Sequence, residues 1–344
     1  MGSKTVMMNT KTTEIAGDEL TPGKPTATLG IQSDTAFSEA SKRLTGRDLC
    51  SIADLTVQEM AAIMELSHAV KNHPEDFRHA LDAKQMVMFF EKASLRTRLT
   101  FEAAINTLGG NAIFVDQTQS PLGERESLAD MAHNVERWMS IIVLRTYAHE
   151  TITEMAASSK VPVINALSDL EHPCQAIADF FTLEERFGSA AGLHFAYVGD
   201  GNNVCGSLLV ACSALGAEVV CATPVGYEPG PGAIGAACSF GGKISLTHDP
   251  HEAVVGAQIV YTDVWTSMGE EAEHEKRLAD FAGFGVDAAL LEHAAREAVV
   301  LHCLPAHTGE EITHDVLYGA RSAVWQQAEN RLHVQKALLA LLVD

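Results

Sequence analysis

Residues 86–115 read MVMFFEKASLRTRLTFEAAINTLGGNAIFV. Residues 86–90 are an unbroken apolar run of strand length, the pattern of a strand covered on both faces. Residues 97–108 carry helical spacing and stop at Gly109-Gly110, where glycine can close a helix in the left-handed region. Residues 112–115 are apolar again. Strand, helix and strand in one short stretch predict a βαβ unit with parallel strands. Between the first strand and the helix lies Ser94-Leu95-Arg96-Thr97-Arg98. Free N–H groups and the positive end of the dipole attract anions to a helix start. Arg96 adds a planar fork that matches phosphate, and Ser94 and Thr97 add hydroxyls. Taken alone, the segment fits a capped helix with two solvated arginines equally well.

The alternation continues outward. Upstream, Thr56-Val57-Gln58-Glu59 has the capping-box pattern and precedes a helix-period apolar stripe. Downstream, Ser127 is placed to cap a helix over 128–138. Strands follow at 141–144 and 161–164, then a helix over 174–187. Small residues cluster at 188–192 and mark a boundary. A second series runs through strands at 193–198, 219–222, 258–262 and 298–301. A helix is predicted over 204–215, and the final helix spans 331–342. The expected fold class is α/β: two parallel-sheet α/β domains joined by interdomain helices. The predicted divisions are a flexible leader over 1–43, a first domain over 44–188, a second over 189–328, and a C-terminal helix segment over 329–344. In such sheets ligands bind beyond the carboxyl ends of the strands.

Composition agrees with two globular domains: the chain has 344 residues, 47% hydrophobic and 20% charged. Lys plus Arg number 24 against 45 Asp plus Glu, a formal charge of −21, which argues against nucleic acid or an anionic membrane as partner. A locally basic pocket for a small anion remains compatible with that balance. No apolar run reaches the ~18 residues of a membrane span. The leader lacks an apolar core and contains acids, unlike secretory or transit peptides, and Val6 breaks the myristoylation pattern. Seven cysteines, an odd number, fit free thiols in a reducing compartment, so the expected location is cytoplasmic.

The segment from Phe90 to Gly110 resembles the carbamoyl phosphate motif of the transcarbamylases. The family pattern is Ser-Thr-Arg-Thr-Arg followed by Ser-Phe-Glu; here Leu95 replaces the first Thr and removes a hydroxyl. Further pieces arrive in family order: Arg145-Thr146-Tyr147, His172-Pro173-Cys174-Gln175, His302-Cys303-Leu304-Pro305 and Glu329-Asn330-Arg331. The likeness covers residues 45–344. The run Asp263-Val264-Trp265-Thr266-Ser267-Met268-Gly269 is similar to the Ser-Met-Gly loop of the branch that uses ornithine, whereas aspartate-using relatives carry a basic acceptor loop.

The resemblance implies transfer of the carbamoyl group from carbamoyl phosphate to the side-chain amine of L-ornithine, with no cofactor and no metal. It implies that Ser94, Leu95, Arg96, Thr97, Arg145, His172, Gln175, Cys303, Leu304 and Arg331 hold carbamoyl phosphate. Arg145, His172 and Gln175 reach its carbamoyl end. Asn203, Asp263, Ser267 and Met268 hold ornithine, and Arg145, His172, Asp263 and Cys303 are the expected catalytic set. It also implies a homo-oligomer built from trimers, with the final helix returning to the first domain and a neighbour's loop near 116–125 completing each site. In that loop Pro121 stands where these enzymes commonly carry Gln. Either Gln119, Ser120 or Glu124 supplies the contact through a shifted loop, or the site is tuned to a different acceptor; compensation is favoured because the acceptor loop is otherwise intact. The rivals are another amine acceptor, putrescine or an N-acylated ornithine, and a non-catalytic homologue. The direction of flux, toward arginine synthesis or ornithine recovery, is left open.

Other readings are weaker. Gly199-Asp200-Gly201 begins a dinucleotide-like turn, but Gly206 falls two positions late and no acid follows the next strand at Ala222-Thr223-Pro224. His302, Cys303 and His307 lie too close along the chain for a convincing zinc site, and no fourth ligand is evident. A protonated amine of pKa ~10.4 must lose a proton before attack. Cys303, Asp263 and the departing phosphate are the candidate acceptors.

Overall fold

Strand β1 (Gln85–Phe90) is buried at five of its six positions, so both faces are covered, in a computed structural model that describes residues 34–344. It pairs in parallel with β2 (Asn111–Asp116) and β3 (Ile141–Arg145), and β3 pairs with β4 (Val163–Leu167). The sheet order is β2-β1-β3-β4. Helices α1 (Asp34–Leu44), α2 (Val57–Asn72), α3 (Leu95–Thr107), α4 (Leu128–Val135), α5 (His149–Ser158) and α6 (Pro173–Phe187) accompany it. The capping box at Thr56 and Glu59 closes as the spacing predicts, with both reciprocal bonds made. Ser127 caps α4 by accepting from the Asp130 N–H.

The second sheet is also parallel throughout, in the order β7-β6-β5-β8-β9. Its strands are β5 (His194–Val198), β6 (Glu218–Ala222), β7 (Lys243–Thr247), β8 (Ile259–Thr262) and β9 (Val299–His302). The helices are α7 (Asn203–Leu215), α8 (Pro231–Ser239), α9 (Pro250–Val254), α10 (His274–Asp280), α11 (Ala288–Leu291), α12 (His314–Leu317) and α13 (Val324–Leu342). The order reverses between β1 and β3 in one sheet and between β5 and β8 in the other. Crevices at such switch points are where parallel sheets bind ligands. Helix α13 crosses back and packs on α2, α3 and α6.

Three expectations need correction. The leader over 1–43 includes residues 34–43, which are helical in α1; its remainder lies outside the described residues. Ala40 and Leu44 are buried where α1 meets α2 and α13, an i, i+4 pair that anchors the helix. The final helix starts at Val324, seven residues before position 331, so Glu329-Asn330-Arg331 lies inside it. Its buried first half is polar: Gln327 and Asn330 bond inward to Asp179 and Thr182, which hides the apolar period. Strand β7 was not foreseen. It lies at the sheet edge, and its residues Lys-Ile-Ser-Leu-Thr are mostly exposed and show no apolar run. The strand expected at 161–164 is observed as β4, shifted toward its carboxyl end. Asn165 is buried within it because its Nδ2 donates to the Cys50 carbonyl at 2.8 Å.

Candidate active site

The carboxyl ends of both sheets face one cleft of about 1210 Å³. Ser94 caps α3, its hydroxyl accepting from the Thr97 N–H at 3.2 Å, and Leu95 to Thr97 form the first helical turn. Ser94, Leu95, Arg96, Thr97, Arg145, His172, Cys303, Leu304 and Arg331 all line the cleft, as do Asn203, Asp263, Ser267 and Met268. Gln175 is the exception. It is buried behind the wall, where its Nε2 donates to Asp179 Oδ1 at 2.8 Å. The loss of one hydroxyl at Leu95 does not disturb the turn, because its side chain points to solvent at 72% exposure.

The first-domain wall is strongly cationic. Arg145 ends β3 at a register shift beside Leu144, and its Nε donates to the Lys92 carbonyl at 3.2 Å. Burial, with Arg331 and Arg96 nearby, pulls its guanidinium down to about 9. Burial first, then Arg331 and Arg145, keep His172 well below the usual imidazole range, so the ring is neutral at pH 7. Arg331 is brought in by α13, and its Nη2 donates to Thr97 Oγ1 at 2.7 Å. Three buried polar atoms on or beside this wall lack a partner among the described residues: His172 Nδ1, Gln175 Oε1 and Arg331 Nε. The unpaired Arg331 Nε amid excess positive charge favours an anion, and the Gln175 oxygen calls for an N–H or O–H donor.

The opposite wall carries the acids. Asp263 follows β8 and is only 4% exposed. Its Oδ1 accepts from the Cys303 thiol at 2.9 Å, and its Oδ2 from Asn202 Nδ2 at 2.9 Å. Burial, then the neighbouring Asp263 charge, push the Cys303 thiol well above its ordinary value, so it stays protonated. Asn203 donates to the Ser168 carbonyl at 2.6 Å and so ties the second domain to the loop after β4. Gly201 is required: a Cβ there would fall 2.3 Å from the Pro229 nitrogen.

Sequence reasoning missed the supports of the acceptor loop. Arg277 of α10 is buried and donates to Asp200 Oδ2 at 2.8 Å and to the Trp265 carbonyl at 2.8 Å. Its Nη2 lies 2.9 Å from Glu270 Oε2, which in turn accepts from the Ser267 N–H. Ser267 and Met268 are thereby held at the cleft, and Met268 Sδ lies 4.0 Å from Arg145 Nη2. The signal was a lone arginine in an acidic stretch, which spacing alone reads as a solvated face. Lys92 also lines the cleft, with Nζ 4.5 Å from the centre of the Tyr147 ring. Asp263, His302 and Cys303 form one of two groups with metal-ligand atoms within 4.8 Å among the described residues. Both ring nitrogens of that histidine are already bonded within the protein.

Cys303 should therefore resist alkylation. At pH 8, iodoacetamide is expected to label exposed Cys238 at least about tenfold faster than Cys303, because the thiolate is the nucleophile. Peptide mapping over time checks this, and equal rates would contradict a protonated, Asp263-bound thiol.

A cationic helix start facing an acid and an amide across an interdomain cleft defines a group-transfer enzyme that joins an anionic donor to an amine. The chain belongs to the aspartate/ornithine carbamoyltransferase family. Residues 47–185 match its carbamoyl-P binding domain, and residues 191–342 match its Asp/Orn binding domain. An ornithine carbamoyltransferase of Methanocorpusculum labreanum is 48% identical over 304 residues, covering 86% of this chain and 98% of that one. One from Thermus thermophilus is 50% identical over 298 residues, covering 86% and 97%. The solved ornithine carbamoyltransferase of Pyrococcus furiosus superposes with a TM-score of 0.84 at 45% identity, covering 87% of this chain and 98% of that chain.

Proposed function

We propose that the chain transfers the carbamoyl group of carbamoyl phosphate to the side-chain amine of L-ornithine, giving L-citrulline and phosphate. One observation carries this reading: Arg96, Arg145, His172 and Arg331 face Asp263, Cys303, Ser267 and Met268 within a single cleft. The α3 start and Arg96 take the phosphate, and Arg145 spans phosphate and carbonyl. His172 and Arg331 offer donors to the carbonyl oxygen. Gln175 Oε1, left free by the bond to Asp179, is an acceptor for the carbamoyl NH2 once the wall closes on the donor. Asp263 pairs with the acceptor's ammonium, and the Ser267 hydroxyl and the backbone near Met268 receive its amino-acid head.

The neutral amine attacks the carbamoyl carbon. A C–N bond forms, the C–O bond to phosphate breaks, and phosphate leaves with its electron pair. Cys303 is a thiol and therefore a donor, which leaves Asp263 or the departing phosphate to take the proton. Charged donors aimed at the developing oxyanion contribute most in such a closed site. The test is a substrate panel with ornithine, putrescine, aspartate and N-acylated ornithines. Ornithine is expected to be used best, and faster use of an acylated ornithine would overturn the choice of acceptor.

Arg96→Ala should raise the KM for carbamoyl phosphate and lower kcat/KM at least about tenfold, the scale of one charged hydrogen bond, with the fold kept. Unchanged kinetics in a folded variant would remove Arg96 from the site.

The reading extends to the assembly, a trimer or multiple of trimers whose loop at 116–125 completes a neighbour's site. Within one chain that loop does not line the cleft, and Gln119, Pro121 and Glu124 are exposed. Its base is fixed, since Glu91 accepts from the Leu122 N–H at 2.9 Å. Mixing Arg96→Ala subunits with subunits disabled in this loop should restore activity. No recovery at any ratio would mean that each chain works alone. A cytoplasmic setting fits the seven free thiols.

A further inference from the structure

Glu311 lies outside the motifs quoted above, yet its side chain is 0% exposed and faces an equally buried His302. Their contact is His302 Nε2 to Glu311 Oε1 at 3.0 Å. The other ring nitrogen, Nδ1, stands 2.9 Å from the Leu304 nitrogen. A backbone N–H can only donate, so Nδ1 accepts and carries no proton. The proton is then on Nε2, and Glu311 receives it as a hydrogen bond. The carboxylate thereby fixes both the tautomer and the ring's orientation. Oε1 also accepts from the His307 N–H, which closes the 303–311 segment on itself.

This arrangement decides what the turn shows to the cleft. Cys303, Leu304 and Pro305 all line it. The Leu304 N–H is spent on His302, Pro305 has no N–H, and the Cys303 thiol is spent on Asp263. Leu and Pro side chains carry no polar atom. Residues 304 and 305 therefore offer the cleft only carbonyl oxygens and hydrocarbon. Leu304 is held at φ +60°, a region an L side chain seldom adopts, so the turn needs an outside restraint. Carbonyl oxygens repel phosphate and accept from an NH2.

We propose that Glu311, acting through His302, is the positioning residue that makes this turn an acceptor surface and so selects a carbamoyl over an acetyl donor. The proposal rests on the reading of carbamoyl phosphate as donor. Acetyl phosphate, with a methyl in place of the NH2, is the probe. Glu311→Leu should raise the KM for carbamoyl phosphate about tenfold, the scale of one lost hydrogen bond. The inhibition constant of acetyl phosphate should move less than about twofold on the same reasoning. Glu311→Gln keeps an acceptor oxygen and should keep the preference. Parallel shifts for both phosphates, or equal loss in the Gln and Leu variants, would overturn the proposal alone. A wild-type chain that fails to turn over carbamoyl phosphate would overturn the donor reading beneath it. Imidazole nitrogen NMR on the wild-type protein needs no folded variant. It should show His302 with Nδ1 unprotonated and Nε2 protonated, and a protonated Nδ1 would overturn the proposal.

Discussion

Arg145→Met will lower kcat for citrulline formation about 100- to 1000-fold, the range for removing one donor to a developing oxyanion. The methionine keeps the stem packing and removes the guanidinium. Arg145 stands at the end of β3, 7% exposed, in a wall it shares with Arg96 and Arg331. The fold has confined these cations before any substrate arrives. Burial, with Arg331 as the next cause, lowers the folded guanidinium from its ordinary value to about 9. A folded-state value below the unfolded one means that the charged form opposes folding at neutral pH. The melting temperature should therefore stay level or rise as activity falls. A folded variant with kcat within tenfold of wild type would take Arg145 out of the transition state. A large drop in melting temperature would show that it holds the fold.

Asp263→Asn should damage the use of ornithine and spare the donor. The carboxylate lies 40 residues before Cys303 in the chain and bonds to it, and it also accepts from Asn202. Asparagine keeps the shape but loses the charge that pairs with an ammonium, and its own NH2 would oppose either the thiol or the Asn202 amide. Removing one member of a desolvated charged pair costs about 2–5 kcal/mol, so kcat/KM for ornithine should fall on the order of 30-fold to several thousandfold. Carbamoyl phosphate affinity, measured by calorimetry without ornithine, should stay within about threefold: the phosphate groups Ser94, Arg96, Thr97 and Arg145 make no bond to Asp263, and only Cys303 does. Collapse of donor binding with ornithine use intact would reverse the assignment of the two walls.

The sequence made the sheets legible because their central strands are covered on both faces and read as apolar runs, as at 86–90 and 141–144. The proposed anion site was legible because it is local: Ser94, Arg96 and Thr97 belong to one helix start. Arg145, His172, Asp263 and Cys303 were legible through family motifs, since nothing in their spacing brings them together. What escaped was held by distant polar bonds. Gln327 and Asn330 are buried because Asp179 and Thr182, on α6, receive or share their hydrogen bonds. Arg277 is buried because Asp200 and the Trp265 carbonyl surround it. Glu311 is buried opposite His302. In each case the residue type predicts exposure, and a partner supplied by another element reverses the outcome. Gln175 runs the other way: its motif points to the cleft, and the structure places it one layer behind the lining, bonded to Asp179.

The central claim is that one cleft holds donor and acceptor together, each on its own wall. Calorimetry with a stable phosphonoacetyl amide of ornithine, which joins the two substrates through the nitrogen that attacks, tests it most directly. The account predicts one molecule bound per chain, tighter than phosphate and ornithine added separately, and weakened by both Arg145→Met and Asp263→Asn. Binding that depends on only one of these residues, or that is no tighter than ornithine alone, would contradict it.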